Sequence, residues 1–400
     1  MKPLFLTLIF SLLAVTVKAQ LPFKFDKQYK TIYATDLCKM LQQDPGLVLV
    51  DVRSPGEFSD TSQYASLNQG HLKGAINLDI EAIRKNPAIM DPYKDKTIVL
   101  YCSHSQRSRR VSKMLAENGF TSFYNLNGGM SILNQFKEND FPCKNELITS
   151  NLPYKNVSAN DAAALVKSHK NLLVLDIRPA AQFNSTDSIA ANNAGRIKGA
   201  VNIPYNELKQ RMAELTKLKQ QPVLVYSASG DGDAARAASS LVDSGFKPVY
   251  QLLGGIQNLI ASQKDLSFIE NLPQYTVVNA VRALQLLKVK RGLVTYDTRP
   301  DEEYYNRLTG QASYRNLGKM KNAIHIQPAT FASYAFPEDK NTPVLVYGSE
   351  ASFDLSALLT ARGYKNVYLL NSLYDFVWSG FNVESSKEAK NYMVNHEGLY

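Results

Sequence analysis

One cysteine of this chain stands where a reactive thiol would be placed. Cys102 follows the apolar run 97–101 and precedes the basic segment 106–110, a pattern that predicts a buried strand passing into the first turn of a helix. A thiol in that position faces unpaired backbone N–H groups and the positive end of the helix dipole. With arginine nearby, these surroundings lower a thiol pKa from about 8.5 into the range of roughly 3.5 to 7.5, so that the nucleophilic thiolate predominates at neutral pH. The alternative is a buried cysteine at a strand end that has no chemical role.

The loop that begins at this cysteine resembles the active-site loop Cys-x-x-Gly-x-Arg-Ser/Thr of rhodanese-type sulfurtransferases; it reads Cys102, Ser103, His104, Ser105, Gln106, Arg107, Ser108. Three flanking segments resemble further motifs of that family in the family's order, at 51–58, 70–77 and 126–130. The resemblance implies an α/β fold, a small parallel sheet with helices on both faces. It also implies that Cys102 is the nucleophile and that residues 103–108 bind the substrate.

The chain repeats this pattern three times. An Asp-x-Arg sequence ends an apolar run at Asp51, Asp176 and Asp297, 125 and 121 residues apart, which is a domain length. We therefore expect three tandem rhodanese-like domains at 28–146, 152–270 and 274–384. Each unit is expected to open with a helix, and the polar residues 385–400 are expected to form a flexible or loosely docked tail.

The three copies differ at the position of the cysteine. Ser227 and Gly348 replace it in the second and third units, and the second loop adds Asp231 and Asp233. A serine does not carry a persulfide, so the second and third domains are predicted to be inactive. Their role is structural, or they dock a protein partner or shape the entrance to the first site. The two aspartates lack the spacing of a calcium loop, and neither a metal site nor a cofactor is predicted.

Loop length favours sulfur transfer over phosphate chemistry. Related phosphatases and arsenate reductases use a longer Cys-x₅-Arg loop, whereas Cys102 and Arg107 are separated by four residues. The resemblance implies that a small anionic donor such as thiosulfate leaves a persulfide on Cys102, which a thiol or cyanide then accepts. Two alternatives remain, a non-catalytic secreted binding or scaffold protein and a persulfide carrier.

The residues around the thiol have alternative roles. Arg107 either holds the anionic oxygens of the donor or pairs with a carboxylate that fixes the loop. We expect Asp51 and Arg53 to brace the architecture rather than touch substrate. We expect His71 to be hydrogen-bonded within its turn, and the alternative is that it sits near the loop. His104 either tunes the thiolate or is exposed without a role.

Ser105 departs from the family pattern because it occupies the position of the loop glycine. If that position requires a positive φ, a serine there costs roughly 1 kcal/mol or more.

The N-terminus predicts the compartment. Lys2, the apolar run 4–17 and small residues before Gln20 are typical of a secretory signal peptide at 1–19, and no later apolar run is long enough to cross a membrane. We therefore expect a periplasmic or secreted protein, and the alternative is that the N-terminal segment is retained as an uncleaved anchor. The net charge of +9 suits anionic donors, and because it is not concentrated in one stripe, no nucleic-acid partner is expected.

Three cysteines are an odd number for an oxidising compartment. Cys38 and Cys143 lie near the two ends of the first domain, and domain ends often come close in space. We hypothesise a Cys38–Cys143 disulfide that leaves Cys102 as the free thiol. The alternative is two unpaired buried thiols.

Overall fold

The computed structural model describes residues 29–137, 140–378 and 388–394, so the predicted signal peptide lies outside the described residues. The chain forms three α/β domains with closely similar element order. The first contains strands β1 (Lys30–Ile32), β2 (Val48–Asp51), β3 (His71–Leu72), β4 (Ile76–Asn77), β5 (Ile98–Tyr101), β6 (Phe123–Leu126) and β7 (Ile148–Thr149). Its helices are α1 (Ala34–Gln43), α2 (Pro55–Phe58), α3 (Ile80–Lys85), α4 (Gln106–Glu117), α5 (Gly129–Leu133) and α6 (Lys144–Leu147).

The second domain contains β8 (Lys155–Val157), β9 (Leu173–Asp176), β10 (Arg196–Ile197), β11 (Val201–Asn202), β12 (Val223–Tyr226), β13 (Val249–Leu252) and β14 (Ile269–Glu270). Its helices are α7 (Ala159–Ser168), α8 (Ala180–Phe183), α9 (Tyr205–Arg211), α10 (Asp233–Asp243) and α11 (Gly255–Ser262).

The third domain contains β15 (Thr276–Val278), β16 (Val294–Asp297), β17 (Lys319–Met320), β18 (Ile324–His325), β19 (Val344–Tyr347), β20 (Val367–Leu370) and β21 (Met393–Val394). Its helices are α12 (Ala280–Val289), α13 (Asp301–Tyr304), α14 (Ala351–Ala361) and α15 (Leu373–Trp378).

Each domain is built on a five-stranded parallel sheet, which confirms the predicted fold class. The strand order of the first sheet is β1-β6-β5-β2-β4, and the other two sheets repeat it. All four residues of β5 are fully buried because helices cover both faces of the sheet. A central parallel strand of this kind reads as a continuous apolar run in the sequence, and its C-terminal end delivers Cys102 to the edge of the sheet.

The expectation that each unit opens with a helix is wrong. A three-residue strand precedes the first helix in every domain and pairs with the last strand of the same sheet, as β1 does with β6. A run of three residues is too short to show the two-residue periodicity by which a strand is recognised in a sequence.

Residues 388–394, the described part of the predicted tail at 385–400, are more ordered than expected. Within this part, β21 pairs antiparallel with β17, as β7 pairs with β3 and β14 with β10. The N–H of Lys321 donates to the carbonyl of Tyr392 at 2.7 Å. In each domain, the short strand in the turn therefore pairs with a strand at the end of the domain. Because β7 lies at Ile148–Thr149, the first domain extends beyond residue 146.

The three domains contact one another in a cyclic order. A 3-10 turn of the first domain, Ala65–Leu67, packs against α10 of the second, and the corresponding turn Ala190–Asn192 packs against α14 of the third. The third turn, Gly310–Arg315, brings Tyr314 to the loop that precedes α4. The third domain therefore lies over the loop of Cys102. Among the described helices, none has the length and apolar character needed to cross a membrane.

Candidate active site

Cys102 lies between β5 and α4, at the base of a cavity of about 400 Å³. The first domain contributes Ser103, His104, Gln106 and Arg107 to the cavity wall, and the third domain contributes Tyr314 and Tyr374. The cysteine is only 1% exposed. The thiol is therefore shielded from bulky reagents, and the cavity is the space beside it that a small molecule can occupy.

The backbone of the loop offers a ring of amide donors. Within the described structure, the N–H groups of residues 103–108 donate to no protein acceptor. Ser105 adopts a φ of 67° at the start of α4 and thereby curls the loop. Consecutive unpaired N–H groups of this kind form a concave site for an anion. The arrangement suits a thiolate or a persulfide anion on Cys102.

The Gly128–Gly129 pair allows the start of α5 to hydrogen-bond to the backbone of the loop. The N–H of Met130 donates to the carbonyl of Cys102 at 2.9 Å, and the N–H of Ser131 donates to that of Ser103 at 3.0 Å. A Cβ atom on Gly129 would lie 2.1 Å from the carbonyl oxygen of Cys102. Only glycine permits this approach, so the turn after β6 fixes where the nucleophile sits.

Ser105, which stands at the position of the loop glycine, does adopt the left-handed conformation, with a φ of 67°. Its side chain is fully buried, and its hydroxyl donates to the carbonyl of Leu126 at 3.1 Å. This hydrogen bond offsets the cost of a positive φ for a non-glycine residue, because each of the two effects is of order 1 kcal/mol.

Arg107 adopts the loop-fixing role. Its guanidinium donates to the carboxylate of Glu57 at 2.5 and 2.6 Å and to the hydroxyl of Ser103 at 3.0 Å. Burial opposes ionisation of both partners, but their mutual hydrogen bonds outweigh it, so the pKa of Glu57 is lowered and that of Arg107 is raised. Sequence reasoning did not single out Glu57, although it belongs to the recognised motif at 51–58.

Ser108 is the polar side chain that the structure brings to the sulfur. Its hydroxyl oxygen lies 3.7 Å from the Cys102 Sγ and 2.6 Å from the Oδ1 of Asn125 on β6. Asn125 is fully buried, and its Nδ2 has no partner within the described structure. Nothing in the sequence marked Asn125, a single polar residue in an apolar strand.

His104 is exposed at the meeting point of three cavities. Its Nε2 lies 2.9 Å from the hydroxyl of Ser131, which donates to the Oε1 of Gln69 at 3.0 Å. This chain of hydrogen bonds assigns the ring proton to Nε2. Although the residue is exposed towards these cavities, the protein packed around its ring still desolvates it, which lowers the pKa of His104 and favours the neutral ring.

The remaining predicted residues lie outside the cavity. Asp51 and Arg53 form a fully buried ion pair at 2.7 Å, and Arg53 also donates to the carbonyl of Gly70. The same pair recurs in both other domains, as a bracing role requires. The expectation for His71 is wrong: its ring packs on Phe58 with centroids 4.2 Å apart, and its buried Nδ1 has no hydrogen-bond partner among the described residues.

The structure joins Cys38 and Cys143 in a disulfide, and Cys102 is the free cysteine. The bond links α1 to the start of α6, at the two ends of the first domain. Among the described residues, no group of three or more His, Cys, Asp or Glu side chains is placed to hold a metal ion.

Comparison with known proteins gives a family match in two regions and several relatives. The model of the rhodanese-like domain matches residues 34–134 and 158–262. An uncharacterized protein, YqhL of Bacillus subtilis, is 40% identical over 83 residues, which cover 20% of this chain and 56% of YqhL. A tRNA uridine(34) hydroxylase of Bacillus velezensis is 33% identical over 92 residues, which cover 22% of this chain and 26% of the hydroxylase. The thiosulfate sulfurtransferase PspE of Escherichia coli is 29% identical over 79 residues, covering 20% of this chain and 67% of PspE. The chain thus spans about half the length of the first relative and about a quarter of the second.

Proposed function

This chain belongs to the rhodanese-like domain family, and we propose that it is a sulfurtransferase that carries a sulfane sulfur on Cys102. The observation that carries the proposal is the thiol at the start of a loop whose consecutive N–H groups have no acceptor among the described residues. The similarity to a protein named thiosulfate sulfurtransferase supports the same chemistry.

In the first half-reaction, the Cys102 thiolate attacks the outer sulfur of a donor such as thiosulfate. The sulfur–sulfur bond of the donor breaks, sulfite leaves with the electron pair, and a persulfide forms on Cys102. The amides of residues 103–108 stabilise the negative charge before and after the step. Because Glu57 neutralises Arg107, the arginine acts by holding the loop in shape, and the backbone supplies the binding of the anion.

In the second half-reaction, an acceptor thiolate or cyanide attacks the outer sulfur of the persulfide. The bond between the two sulfurs breaks, and its electron pair returns to Cys102 as thiolate. The cavity of about 400 Å³ above the sulfur admits small acceptors. Its limited size disfavours a folded protein as the direct acceptor.

We also propose that the protein works in the periplasm or outside the cell. A disulfide between Cys38 and Cys143 supports this, since such bonds persist in oxidising compartments. Expression of the full chain, followed by cell fractionation and mass determination of the mature N-terminus, tests the proposal. Cytoplasmic protein with residues 1–19 intact would contradict it.

The sulfurtransferase proposal is tested by intact mass and by turnover. Incubation with thiosulfate should add about 32 Da, one sulfur atom, on Cys102, and cyanide should then remove it as thiocyanate. Cys102→Ser should lose both the adduct and the turnover. Ser227→Ala, at the equivalent position of the second domain, serves as the matched control and should retain both.

The outcome also separates the two alternatives. An adduct that forms on Cys102 but transfers to no acceptor indicates a persulfide carrier. Absence of the adduct with every sulfane-sulfur donor, in a folded protein, indicates a non-catalytic scaffold.

A further inference from the structure

A second, larger cavity lies where the three domains meet. It has a volume of about 500 Å³, and all three domains contribute to its wall. The helices α5, α11 and α15, which follow the last sheet strand of each domain, line it together with the first turn of α12. Cavities of this size hold small organic ligands. The two half-reactions described for Cys102 assign no role to this larger cavity.

Arg282 is the charged group that points to a ligand. It is partly buried on α12, and among the described residues its Nη1 makes long hydrogen bonds of 3.2–3.4 Å to the carbonyls of Ala261, Gln263 and Val277. No carboxylate of the described structure pairs with it, and burial lowers its pKa. A desolvated guanidinium without a counter-ion is suited to binding a carboxylate.

The rest of the wall favours a ligand that carries both charge and amide groups. Lys137 and Lys264 add positive charge, and Asp140 and Asp375 partly balance it. Seven carboxamides supply donors and acceptors along the wall: Gln135, Asn160, Gln257, Asn258, Asn279, Gln285 and Asn371. Carboxamides match the N–H and C=O groups of peptide bonds.

This cavity adjoins the catalytic one. His104 and Tyr374 line both cavities. The hydroxyl of Tyr374 donates to the carbonyl of His104 at 3.3 Å and accepts from Gln106 at 3.3 Å, distances at which hydrogen bonds are weak. His104 and Tyr374, which are joined by a weak hydrogen bond, therefore separate the large cavity from the space above Cys102.

We propose that the central cavity binds the sulfur acceptor, and that this acceptor is a small thiol bearing carboxylate and amide groups. The inference rests on the proposed sulfurtransferase function. Arg282 holds a carboxylate of the acceptor, and the thiol end extends past His104 and Tyr374. The acceptor enters as a thiolate that has lost its proton to water. Its sulfur bonds to the outer sulfur of the persulfide, and the electron pair of the broken bond returns to Cys102.

Binding is tested without turnover by calorimetry with S-methylglutathione, which has two carboxylates and two amides but no free thiol. The wild-type protein should bind it, and Arg282→Gln should raise the Kd about tenfold, the loss of one charge-assisted hydrogen bond. Arg282→Lys should give an intermediate Kd. Arg291→Gln, which removes an exposed charge from the same domain, is the control and should leave the Kd unchanged.

Two results overturn the assignment, namely no binding by the wild-type protein at millimolar concentration, or equal affinity of Arg282→Gln. If Arg282→Gln does not fold, the double variant Lys137→Gln/Lys264→Gln gives the same test with an expected weakening of about threefold.

Kinetics then ties the cavity to sulfur transfer. With glutathione as acceptor, Arg282→Gln should raise KM about tenfold, while KM for cyanide, which needs no carboxylate site, should stay within about twofold. Equal losses with both acceptors would show a general disturbance and overturn the proposal. If the wild-type protein binds S-methylglutathione through Arg282 but forms no persulfide, the sulfurtransferase function fails and the ligand site stands. If the persulfide forms but S-methylglutathione does not bind, the ligand site fails and the sulfurtransferase function stands.

Discussion

The loops of the first and second domains share one scaffold and differ in what fills it. In the first domain, the amides of residues 103–108 have no protein acceptor within the described structure. In the second domain, the carboxylate of Asp231 accepts from the hydroxyl of Ser227 at 3.0 Å and from the N–H of Asp233 at 3.1 Å. Desolvation raises the pKa of Asp231. The second loop therefore holds the carboxylate of its own Asp231, whereas the amides of the first loop are available to an anion from solution.

The supports beneath the two loops are the same. The N–H of Ile256 donates to the carbonyl of Ser227 at 3.0 Å, and that of Gln257 donates to Ala228 at 3.1 Å, as Met130 and Ser131 do in the first domain. The strand, the glycine pair and the following helix are therefore structural requirements of the fold. The chemistry depends on the few side chains between them.

The second domain has no counterpart of the Arg107–Glu57 ion pair at the aligned positions. Leu115 follows Cys102 by 13 residues, whereas Leu241 follows Ser227 by 14, so the second loop is one residue longer. Alignment of the two helices places Asp233 at the position of Arg107, and Gln182 occupies the position of Glu57. The second domain therefore has neither partner of the ion pair at these positions, as expected if each serves chiefly to hold the other.

Alanine at the second glycine of each pair should have the largest effect. Gly129→Ala would push a Cβ to 2.1 Å from the Cys102 carbonyl, and Gly255→Ala would push one to 2.6 Å from the backbone of Ala228. We expect each variant to lose more than about 3 kcal/mol of stability in its own domain. Only Gly129→Ala should also lose persulfide formation, by about a hundredfold. Thermal unfolding and adduct mass measure both effects, and an equal loss of activity in Gly255→Ala would contradict the functional difference between the two loops.

Removal of the Glu57 charge should have the next largest effect. Glu57→Gln leaves Arg107 without its counter-ion, and we expect about 2 kcal/mol of destabilisation and about tenfold slower persulfide formation. Urea unfolding and the rate of adduct formation measure the two effects. Glu207→Gln, which breaks an exposed ion pair with Arg211 in the second domain, is the control and should cost less than about 1 kcal/mol.

The pH dependence of this effect has a definite sign. Because the folded protein lowers the pKa of Glu57, the pair stabilises fully above the unfolded value of about 4.3, and its contribution is lost as pH falls through the folded pKa. The difference in Tm between wild type and Glu57→Gln should therefore be largest near pH 7 and shrink below about pH 4. A difference independent of pH would contradict the assignment.

Ser108→Ala tests the contact that the first loop makes with its sulfur. The hydroxyl lies 3.7 Å from the Cys102 Sγ and donates its proton to the Oδ1 of Asn125 at 2.6 Å, so Ser108 ties the first turn of α4 to β6 beside the sulfur. Its loss should leave that buried oxygen without a donor, shift the urea midpoint downward by about 1.5 kcal/mol of stability, and slow alkylation by iodoacetamide about threefold because the loop around the sulfur is held less firmly. Ser112→Ala removes another buried hydroxyl of α4, one with no partner in the described structure. An equal shift in Ser112→Ala would show that the effect is not specific to Ser108.

Much of the fold and the place of the nucleophile could be predicted from the sequence, because their signals are local. The apolar run of β5, the cysteine after it and the three Asp-x-Arg sequences indicate the sheets and the position of the thiol. Glu57 could have been found, since it stands within a recognised motif. The two-residue strand β21 could not, because two residues show no periodicity.

The cover over Cys102 could not be predicted for a different reason. Tyr374 contacts residues about 270 positions away, and Asn127 donates to the carbonyl of Trp378 across a similar separation. These contacts depend on how three domains close into a ring. The periodicity of a single chain segment gives no information about that arrangement.

Ser105→Gly should have the smallest effect and tests how the first loop tolerates its unusual residue. Glycine removes the strain of a φ of 67° but also removes the hydrogen bond to Leu126, and the two effects of about 1 kcal/mol nearly cancel. The urea midpoint and the rate of persulfide formation should stay close to wild type. Ser105→Ala loses the hydrogen bond and keeps the strain, so it should be about 1 kcal/mol less stable. If glycine proves as damaging as alanine, the hydroxyl contributes more than the backbone strain costs, and the serine is then a required part of the loop.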